Sequence, residues 1–251
     1  MRLENKVALI TGAGSGFGAG IAERFAREGA RVIVNDVDAD AGQAVARSIG
    51  DAGGQARFVK ADVSSGSDYE ALVRTGIAAY GGLDIVVNNA GVSHRNQWLL
   101  DVDETEFDRV YAINVKSLYW SARHVVPHFM QRGGGCFINI ASTAGVRPRP
   151  GLTWYNSSKG AMITASRSMA VELAPHKIRV NVINPVAGDT PLLATFMGED
   201  TPEVRARFLS TIPLGRFSTP ADIAGAALFL ASDDAAFVTG ACLEVDGGRC
   251  V

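Results

Sequence analysis

Long apolar runs and disulfide patterns are both missing from this chain of 251 residues. No stretch reaches the roughly eighteen apolar residues that a membrane-spanning helix needs, and the start, MRLENKVALITG, meets glycine too early for a secretory signal. Cys136, Cys242 and Cys250 are odd in number and lack C-x-x-C spacing, which is typical of free thiols in a reducing compartment. We therefore expect a cytoplasmic protein without a membrane partner; a Cys250 disulfide between subunits is the less favoured alternative to a free thiol.

An excess of either charge is also missing. The formal net charge is -2, and the basic residues are scattered instead of forming a stripe, so the chain offers no electrostatic field for nucleic acid or anionic lipid. His124 and His128 have the spacing of two metal ligands on one helical face, but no H-E-x-x-H motif supports them. We predict no metal site and expect the partner to be a small molecule.

What is present is a regular alternation of two kinds of segment. Short β-branched runs predict seven strands: VALIT, RVIVND, ARFVKAD, LDIVVNNAG, GCFINIAS, IRVNVINP and ACLEVDGG. Between them, apolar residues recur every three or four positions and predict helices over 19–28, 41–50, 69–80, 106–131, 155–173 and 220–231. This alternation requires crossover connections, so we predict an α/β fold with a Rossmann-like, doubly wound parallel sheet and helices on both faces. No linker divides the chain, and we expect one domain over residues 1–251.

The longest stretch without a strand signal is 186–219, which carries prolines and glycines around a short predicted helix. It follows the end of a strand, and ligands of open α/β sheets bind beyond the carboxyl ends of the strands. We interpret the segment as a loop that covers the substrate; a surface excursion or a subunit contact is the alternative.

The first strand runs into a glycine-rich turn, VALITGAGSGFG. Such a turn directs backbone N–H groups and a helix N-terminus at anionic oxygen, and the missing Cβ atoms allow a pyrophosphate to approach closely. The glycines Gly12, Gly16 and Gly18 depart from strict G-x-G-x-x-G spacing, and a tightly packed turn without a ligand is the alternative.

The second strand ends at Asp36, where a carboxylate can accept hydrogen bonds from an adenosine ribose. Its charge would repel a 2′-phosphate, and no Arg or Lys occupies the glycine turn or position Val37. We therefore predict NAD(H) in preference to NADP(H). Were Asp36 only a helix cap, the choice of cofactor would be open.

The next two strand ends also suit a nucleotide. Asp62 and Val63 follow the third strand and are expected to flank the adenine, while residues 88–91 after the fourth strand form a second turn of small residues. Four consecutive strand ends thus carry chemistry compatible with a nucleotide.

The fifth strand leads to a possible proton-transfer group. It ends at Ser142, and Tyr155 and Lys159 follow at the spacing of neighbours on one helical face. Ketone reduction needs a proton donor at the carbonyl oxygen, and alcohol oxidation needs the same group as a base. A tyrosine with a pKa of about 10 is a poor base near neutrality, so a neighbouring lysine that stabilises the phenolate is expected to lower the pKa of Tyr155.

The order and approximate spacing of six features resemble those of the short-chain dehydrogenase/reductase family over nearly the whole length of the chain. The features are TGAGSGFG, NNAG, Asn114 within INV, Ser142, YNSSK and NPVAGDT. The resemblance implies that Tyr155 is the general acid/base, that Lys159 lowers its pKa and bonds the nicotinamide ribose, and that Ser142 orients the carbonyl. It also implies that Asn114 anchors a water in a proton relay; otherwise a polar residue that kinks or caps a helix is the simpler interpretation.

The resemblance and the strand ends together give the predicted contacts. Two departures from the family pattern are Phe17, where a small aliphatic residue is usual, and Val186, where glycine follows the proline. The predicted cofactor contacts are Gly12, Ser15, Gly16, Phe17, Gly18, Asp36, Val37, Asp62, Val63, Asn89, Ala90, Gly91, Tyr155, Lys159, Pro185, Gly188 and Thr190. The predicted substrate contacts are Ser142, Ala144, His94, Trp154, Val186 and Phe196.

The function predicted from the sequence is an NAD(H)-dependent oxidoreductase that interconverts a secondary alcohol and a ketone. A 3-oxoacyl thioester reductase and a non-catalytic nucleotide sensor are the alternatives, and the resemblance implies a homotetramer with helices 106–131 and 155–173 at an interface. Substrate identity stays open. Arginines 147, 149 and 95, with His94, would favour an anionic or sugar-like substrate, but solvated surface arginines are the favoured interpretation.

Overall fold

The computed structural model describes residues 1–199 and 201–251; Asp200, which falls within the predicted substrate loop, lies outside the described residues. Seven strands form one parallel sheet in the order β3-β2-β1-β4-β5-β6-β7. The strands are β1 (Val7–Ile10), β2 (Arg31–Asp36), β3 (Gln55–Lys60), β4 (Ile85–Asn88), β5 (Gly135–Ile140), β6 (Ile178–Pro185) and β7 (Cys242–Val245). The predicted doubly wound sheet is confirmed.

Helices cover both faces of this sheet. They are α1 (Gly16–Arg27), α2 (Ala39–Asp51), α3 (Gly66–Tyr80), α4 (Glu104–Tyr111), α5 (Ser117–Arg132), α6 (Thr153–Leu173), α7 (Leu193–Met197), α8 (Pro202–Leu209) and α9 (Pro220–Ala231). Several begin at a side chain that accepts a hydrogen bond from an otherwise unpaired N–H of the first turn. Asp38, Ser65, Asp103, Thr201 and Thr219 act in this way. Among the described residues, no helix combines the length and apolar character required to cross a membrane.

The core consists of two layers because alternate residues of each strand point to opposite faces. Ala8 and Ile10 of β1 pack in one layer with residues of α1 and α9. Val7 and Leu9 of the same strand pack in the other layer with residues of α3, α5 and α6. Central strands buried on both sides explain the near-continuous apolar runs of the sequence.

Two helical regions differ from their predictions. The helix predicted over 106–131 is divided into α4 and α5 by a π-helical segment, Ala112–Lys116, and α5 contains Pro127 in its interior. The segment 186–219 holds two helices, α7 and α8, where one short helix was expected. Periodicity alone misses the π-helical segment because a single longer interval between apolar residues does not interrupt a helical pattern in the sequence.

A buried polar chain crosses the sheet beneath the carboxyl ends of β4 and β5. The Tyr69 hydroxyl donates to Asn88 Oδ1 (2.9 Å), and Asn88 Nδ2 donates to Asn139 Oδ1 (2.8 Å). Asn139 Nδ2 then donates to Ser166 Oγ (2.8 Å) on α6. All four side chains are buried, so each hydrogen bond replaces water that the site excludes. This series of side-chain hydrogen bonds ties α3 and α6 to β4 and β5, the two strands that precede Gly91 and Ser142.

We expect Tyr69→Phe to lower the free energy of unfolding by about 1 to 3 kcal/mol, because Asn88 Oδ1 loses its donor in a buried position. Tyr80→Phe is the matched control: this ring is half-buried on the same helix, and its change should stay within about 0.5 kcal/mol. Urea unfolding of both variants measures the difference. Equal stability losses would show that the Tyr69 hydrogen bond contributes nothing.

Candidate active site

One cleft of about 460 Å³ runs along the carboxyl ends of β1 to β6. In the sheet, β1 lies between β2 and β4, and the strand order reverses its direction at β1. The cleft opens at this topological switch point, where open α/β sheets bind their ligands. Every predicted cofactor contact except Gly18 lines it, as do the predicted substrate contacts Ser142, Ala144, Val186 and Phe196.

The turn after β1 is shaped by its glycines. Gly12 and Gly16 have φ of +60° and +55°, in the left-handed region that favours glycine. A Cβ on Gly18 would lie 2.2 Å from the carbonyl oxygen of Gly12, so Gly18 lets the helix pack on the turn and does not itself face the cleft. Since α1 begins at Gly16, its N-terminal N–H groups open onto the cleft.

The turns after β1 and β4 are joined by reciprocal hydrogen bonds. Asn89 Nδ2 donates to the carbonyl oxygens of Thr11 (2.8 Å) and Gly12 (3.0 Å). The Thr11 hydroxyl accepts from the N–H groups of Asn89 and Ala90, both at 3.0 Å. A Cβ on Gly12 would come within 2.8 Å of Ala90 Cα. The two turns therefore form one rigid wall of the cleft. The Thr11 hydroxyl helps to join them, and the sequence motifs did not indicate this role.

Asp36 lies at the edge of this wall. Its Oδ2 accepts from Gly14 N–H (2.8 Å) and its Oδ1 from Asp38 N–H (3.0 Å). The cap of α2 is Asp38, whose side chain accepts from Asp40 and Ala41. The helix-cap alternative for Asp36 is therefore wrong, and its carboxylate faces the cleft next to the glycine turn.

Phe17, one of the two departures from the family pattern, lies against Gly188, two residues after the other departure, Val186. A Cβ on Gly188 would lie only 2.3 Å from Cζ of Phe17. The bulky ring thus occupies the space that a side chain at 188 would fill. Val186 is buried, and its carbonyl oxygen accepts from the Ser218 hydroxyl (3.2 Å).

Tyr155 and Lys159 share a water-poor environment at the start of α6. Each is only 4% exposed, and Lys159 Nζ lies 5.9 Å from the Tyr155 ring centroid. Burial raises the pKa of Tyr155 to about 12, and the Ser142 hydroxyl opposes that rise. Burial lowers the pKa of Lys159 to about 8. The expected lowering of the Tyr155 pKa by Lys159 is not seen in this structure: burial dominates the pKa of Tyr155, and the group that lowers it is Ser142.

Ser142 and Lys159 are each oriented by the backbone around β5. The Ser142 hydroxyl accepts from Ala144 N–H (3.0 Å). The Lys159 ammonium donates to the carbonyl oxygen of Ile140 (2.9 Å), and a Cβ on Gly91 would lie 3.1 Å from its Nζ. Lys159 is thereby held between the ends of β4 and β5.

Asn114 lies in the π-helical segment and is fully buried. Its Nδ2 donates to Val92 O (2.9 Å) and Ser158 Oγ (3.0 Å), and its Oδ1 accepts from Val92 N–H (2.9 Å). The side chain therefore joins the segment after β4 to α6 beside Lys159. It does not line the cleft. Distorted helical turns of this kind often occur at functional sites.

A family model described as Enoyl-(Acyl carrier protein) reductase matches residues 12–249. The chain belongs to the short-chain dehydrogenase/reductase family. It is 56% identical over 250 residues to 4-formylbenzenesulfonate dehydrogenase TsaC1/TsaC2 of Comamonas testosteroni, with 99% of each chain covered. As a member of this family it is an oxidoreductase.

Two solved structures of family members bear on the cleft. One is 3-ketoacyl-(acyl-carrier-protein) reductase from Brucella melitensis complexed with NADH, with a TM-score of 0.94 and 47% identity over 99% of this chain and 100% of that one. The other is 7α-hydroxysteroid dehydrogenase complexed with NADH and 7-oxoglycochenodeoxycholic acid, with a TM-score of 0.93 and 40% identity over 98% of this chain and 95% of that one.

Two predicted substrate contacts of this family member lie outside the cleft. His94 is buried, and its Nδ1 pairs with the carbonyl oxygen of Arg95 (2.8 Å). The Trp154 indole N–H donates to Leu99 O (3.1 Å), and its ring packs edge-on against Phe107. Position next to a motif does not fix the direction of a side chain, and the assignment of both residues as substrate contacts stays a prediction. His128, considered as a metal ligand, accepts instead from Leu83 N–H through Nε2 (3.0 Å).

The cleft also contains residues that the sequence reading did not select as contacts. Leu152 and Phe208 line it beside the predicted residues. Arg149 also lines it, whereas the favoured interpretation of the sequence had placed this arginine on the solvated surface. Phe208 comes from α8, so the segment 186–219 contributes to the wall from both of its helices.

The close approach of Gly188 to Phe17 predicts a specific compensation. Gly188→Ala should cost about 1 to 3 kcal/mol of unfolding free energy through overpacking, and adding Phe17→Leu should recover most of that loss. Gly225→Ala is the control, since nothing lies within 4 Å of its Cβ position. Chemical denaturation of the single and double variants gives the coupling, and additive losses would contradict the contact.

The depressed pKa of Lys159 predicts a stability that rises with pH. Between about pH 8 and 10.5 the unfolded chain holds the lysine proton and the folded chain does not, so the unfolding free energy increases with pH. The wild type should gain roughly 2 kcal/mol relative to Lys159→Met between pH 7 and pH 9.5, at about 1.36 kcal/mol per pH unit. Urea titrations at both values test this, and a pH-independent difference between the two proteins would refute it.

Proposed function

We propose that the protein is an NAD(H)-dependent oxidoreductase that interconverts an alcohol, in the first instance a secondary alcohol, and the corresponding carbonyl compound. The observation that carries the proposal is the continuity of one cleft, with Asp36 and the glycine turn on one wall and Ser142, Tyr155 and Lys159 on another. A nucleotide site and a proton-transfer group are the two parts that such a reaction requires.

The walls of the cleft fit a dinucleotide. The glycine turn and the start of α1 suit the pyrophosphate, Asp36 suits the adenosine ribose, and Asp62 with Val63 suits the adenine. The carboxylate of Asp36 favours NAD(H), because it would repel a 2′-phosphate. Arg149 and Lys159, the two cations of the lining, follow β5 and are not placed to neutralise that phosphate next to β2. Both solved relatives named above are NADH complexes, which supports the same choice.

Tyr155 is the proposed general acid and base. With a pKa near 12 its phenol is protonated at neutral pH and ready to donate to a carbonyl oxygen. When bound, the nicotinamide would supply or accept the hydride, and its oxidised form would add a positive charge. Lys159 brings a second positive charge to the same enclosed space, which favours phenolate formation in the oxidation direction. Ser142 holds the reacting oxygen beside the phenol.

Asn114 is proposed to fix the position of Lys159 relative to the turn after β4. Its side chain hydrogen-bonds to Val92 and Ser158, so its direct action is positional. The water-mediated relay that the family resemblance implies for this residue stays a prediction, as do the single domain, the homotetramer and the cytoplasmic location.

One other function has a specific observation in its favour. The Brucella relative is a 3-ketoacyl-(acyl-carrier-protein) reductase that was solved with NADH, so the carboxylate at Asp36 does not argue against thioester reduction. A 3-oxoacyl thioester therefore belongs in any substrate screen. A non-catalytic sensor is disfavoured, since Ser142, Tyr155 and Lys159 are all kept and all line the cleft.

Tyr155→Phe should reduce turnover by about 10²- to 10⁴-fold, the usual contribution of a general acid/base, while the dissociation constant for NADH changes by no more than about twofold. Turnover is followed by NADH absorbance against ketones, aldehydes, sugars, hydroxy acids and 3-oxoacyl thioesters, with NADP(H) in parallel. Tyr119→Phe, at an exposed ring on α5, is the control and should behave as wild type. Full activity of Tyr155→Phe would exclude the proposed mechanism.

A further inference from the structure

Arg149 is a cation at the wall of the cleft that the proposed reaction does not use. Its side chain is partly buried and lines the same cavity as Tyr155 and Ser142. The guanidinium carbon lies 4.4 Å from the centre of the Phe208 ring, and Nη2 donates to Thr211 Oγ1 (3.0 Å). One face of the guanidinium is thus covered by an aromatic ring, and the group is held by a single neutral acceptor.

Among residues 1–199 and 201–251, no carboxylate forms an ion pair with Arg149. Burial is the main cause that lowers the pKa of Arg149 to about 10; the charges of Arg249 and Arg147 lower it further, and Cys250 opposes them. Arg249 is itself 8% exposed and its Nε has no hydrogen-bond partner. The guanidinium of Arg149 still carries its full charge at neutral pH, in surroundings where a cation without a partner is costly.

The position of Arg149 is fixed relative to Tyr155. Asn156, the residue after Tyr155 on α6, donates through Nδ2 to the carbonyl oxygen of Arg149 (2.8 Å). Leu152 and Phe196 form an apolar cluster with Tyr155, with the Phe196 ring centroid 5.0 Å from that of Tyr155. The cleft therefore combines a proton donor, an apolar and aromatic wall, and a cation that pairs with no carboxylate of the described residues.

From this arrangement we infer that the substrate is an organic anion, in which an apolar, preferably aromatic body separates the reacting carbon from a sulfonate or carboxylate bound by Arg149. The inference rests on the proposed function and adds the class of substrate to it. A planar guanidinium binds such oxyanions through two parallel hydrogen bonds. The Comamonas relative is named for a compound of this shape.

Two measurements test the inference. Calorimetric titration of the protein saturated with NAD compares benzenesulfonate and benzoate with the neutral methyl phenyl sulfone. Reduction assays with NADH compare 4-acetylbenzenesulfonate and 4-acetylbenzoate with 4-acetylphenyl methyl sulfone, a neutral ketone of similar shape. Each is repeated with Arg149→Gln, with Arg149→Lys, and with Arg95→Gln, an exposed arginine outside the cleft that serves as the control.

We expect the wild type to prefer at least one of the anions to the neutral sulfone by about 10- to 100-fold in kcat/KM and in affinity, which is the range of a charge-assisted hydrogen-bonded pair. Arg149→Gln should remove this preference, so that the anionic and neutral ketones differ by no more than about twofold in that variant. Arg149→Lys should keep part of it, and Arg95→Gln all of it. The sulfonate and carboxylate arms identify which oxyanion fits.

Equal use of the anionic and neutral ketones by the wild type would overturn the inference and leave the proposed function intact. A preference that survives Arg149→Gln, or a loss by that variant of both ketones alike, would also overturn it. If no ketone is reduced, the titrations still decide: benzenesulfonate and benzoate that bind no more tightly than the sulfone contradict an anion site. Failure of the proposed function would be recognised by a different result, which is full activity of Tyr155→Phe.

Discussion

The hydrogen bonds between Asn89 and the turn after β1 are the contacts on which the rest of the site depends. One amide nitrogen is shared by the carbonyl oxygens of Thr11 and Gly12, and the Thr11 hydroxyl returns the link by accepting two N–H groups. Because the chain leaves β1 and β4 in opposite directions at this point, nothing covalent holds the two strand ends together. The side-chain hydrogen bonds close the gap, and the absence of a Cβ at Gly12 lets the backbones approach.

The opposite end of the cleft is governed by desolvation. Tyr155 and Lys159 are buried to the same degree, and burial favours the neutral form of each, which raises the pKa of Tyr155 and lowers the pKa of Lys159. At neutral pH the phenol is neutral and Lys159 still carries most of its charge in a place with little water. The site is therefore sensitive to any charge that a ligand brings, and Arg149, which forms no ion pair with a carboxylate of the described residues, extends that sensitivity to the region where the substrate is proposed to bind.

Much of this fold and site could be predicted from the sequence because strand ends are local features. The turn at Gly12, the carboxylate at Asp36 and the hydroxyl at Ser142 each follow the end of an apolar run, and such runs can be read directly. Tyr155 and Lys159 are found by their spacing on one helical face. The meeting of Phe17 with Gly188 and the chain from Tyr69 to Ser166 join residues far apart in the sequence. No local pattern records such pairs. The direction of the Trp154 and Arg149 side chains likewise depends on packing that only the folded chain defines.

The π-helical segment Ala112–Lys116 has a further consequence for how this helix tolerates change. The added residue shifts the phase of the helix, so α4 and α5 follow one another along the chain but do not share one continuous set of faces. The hydrogen bonds between Asn114 and Val92 depend on that phase. We therefore expect insertions or deletions across 112–116 to be far less acceptable than substitutions on the exposed face of α5.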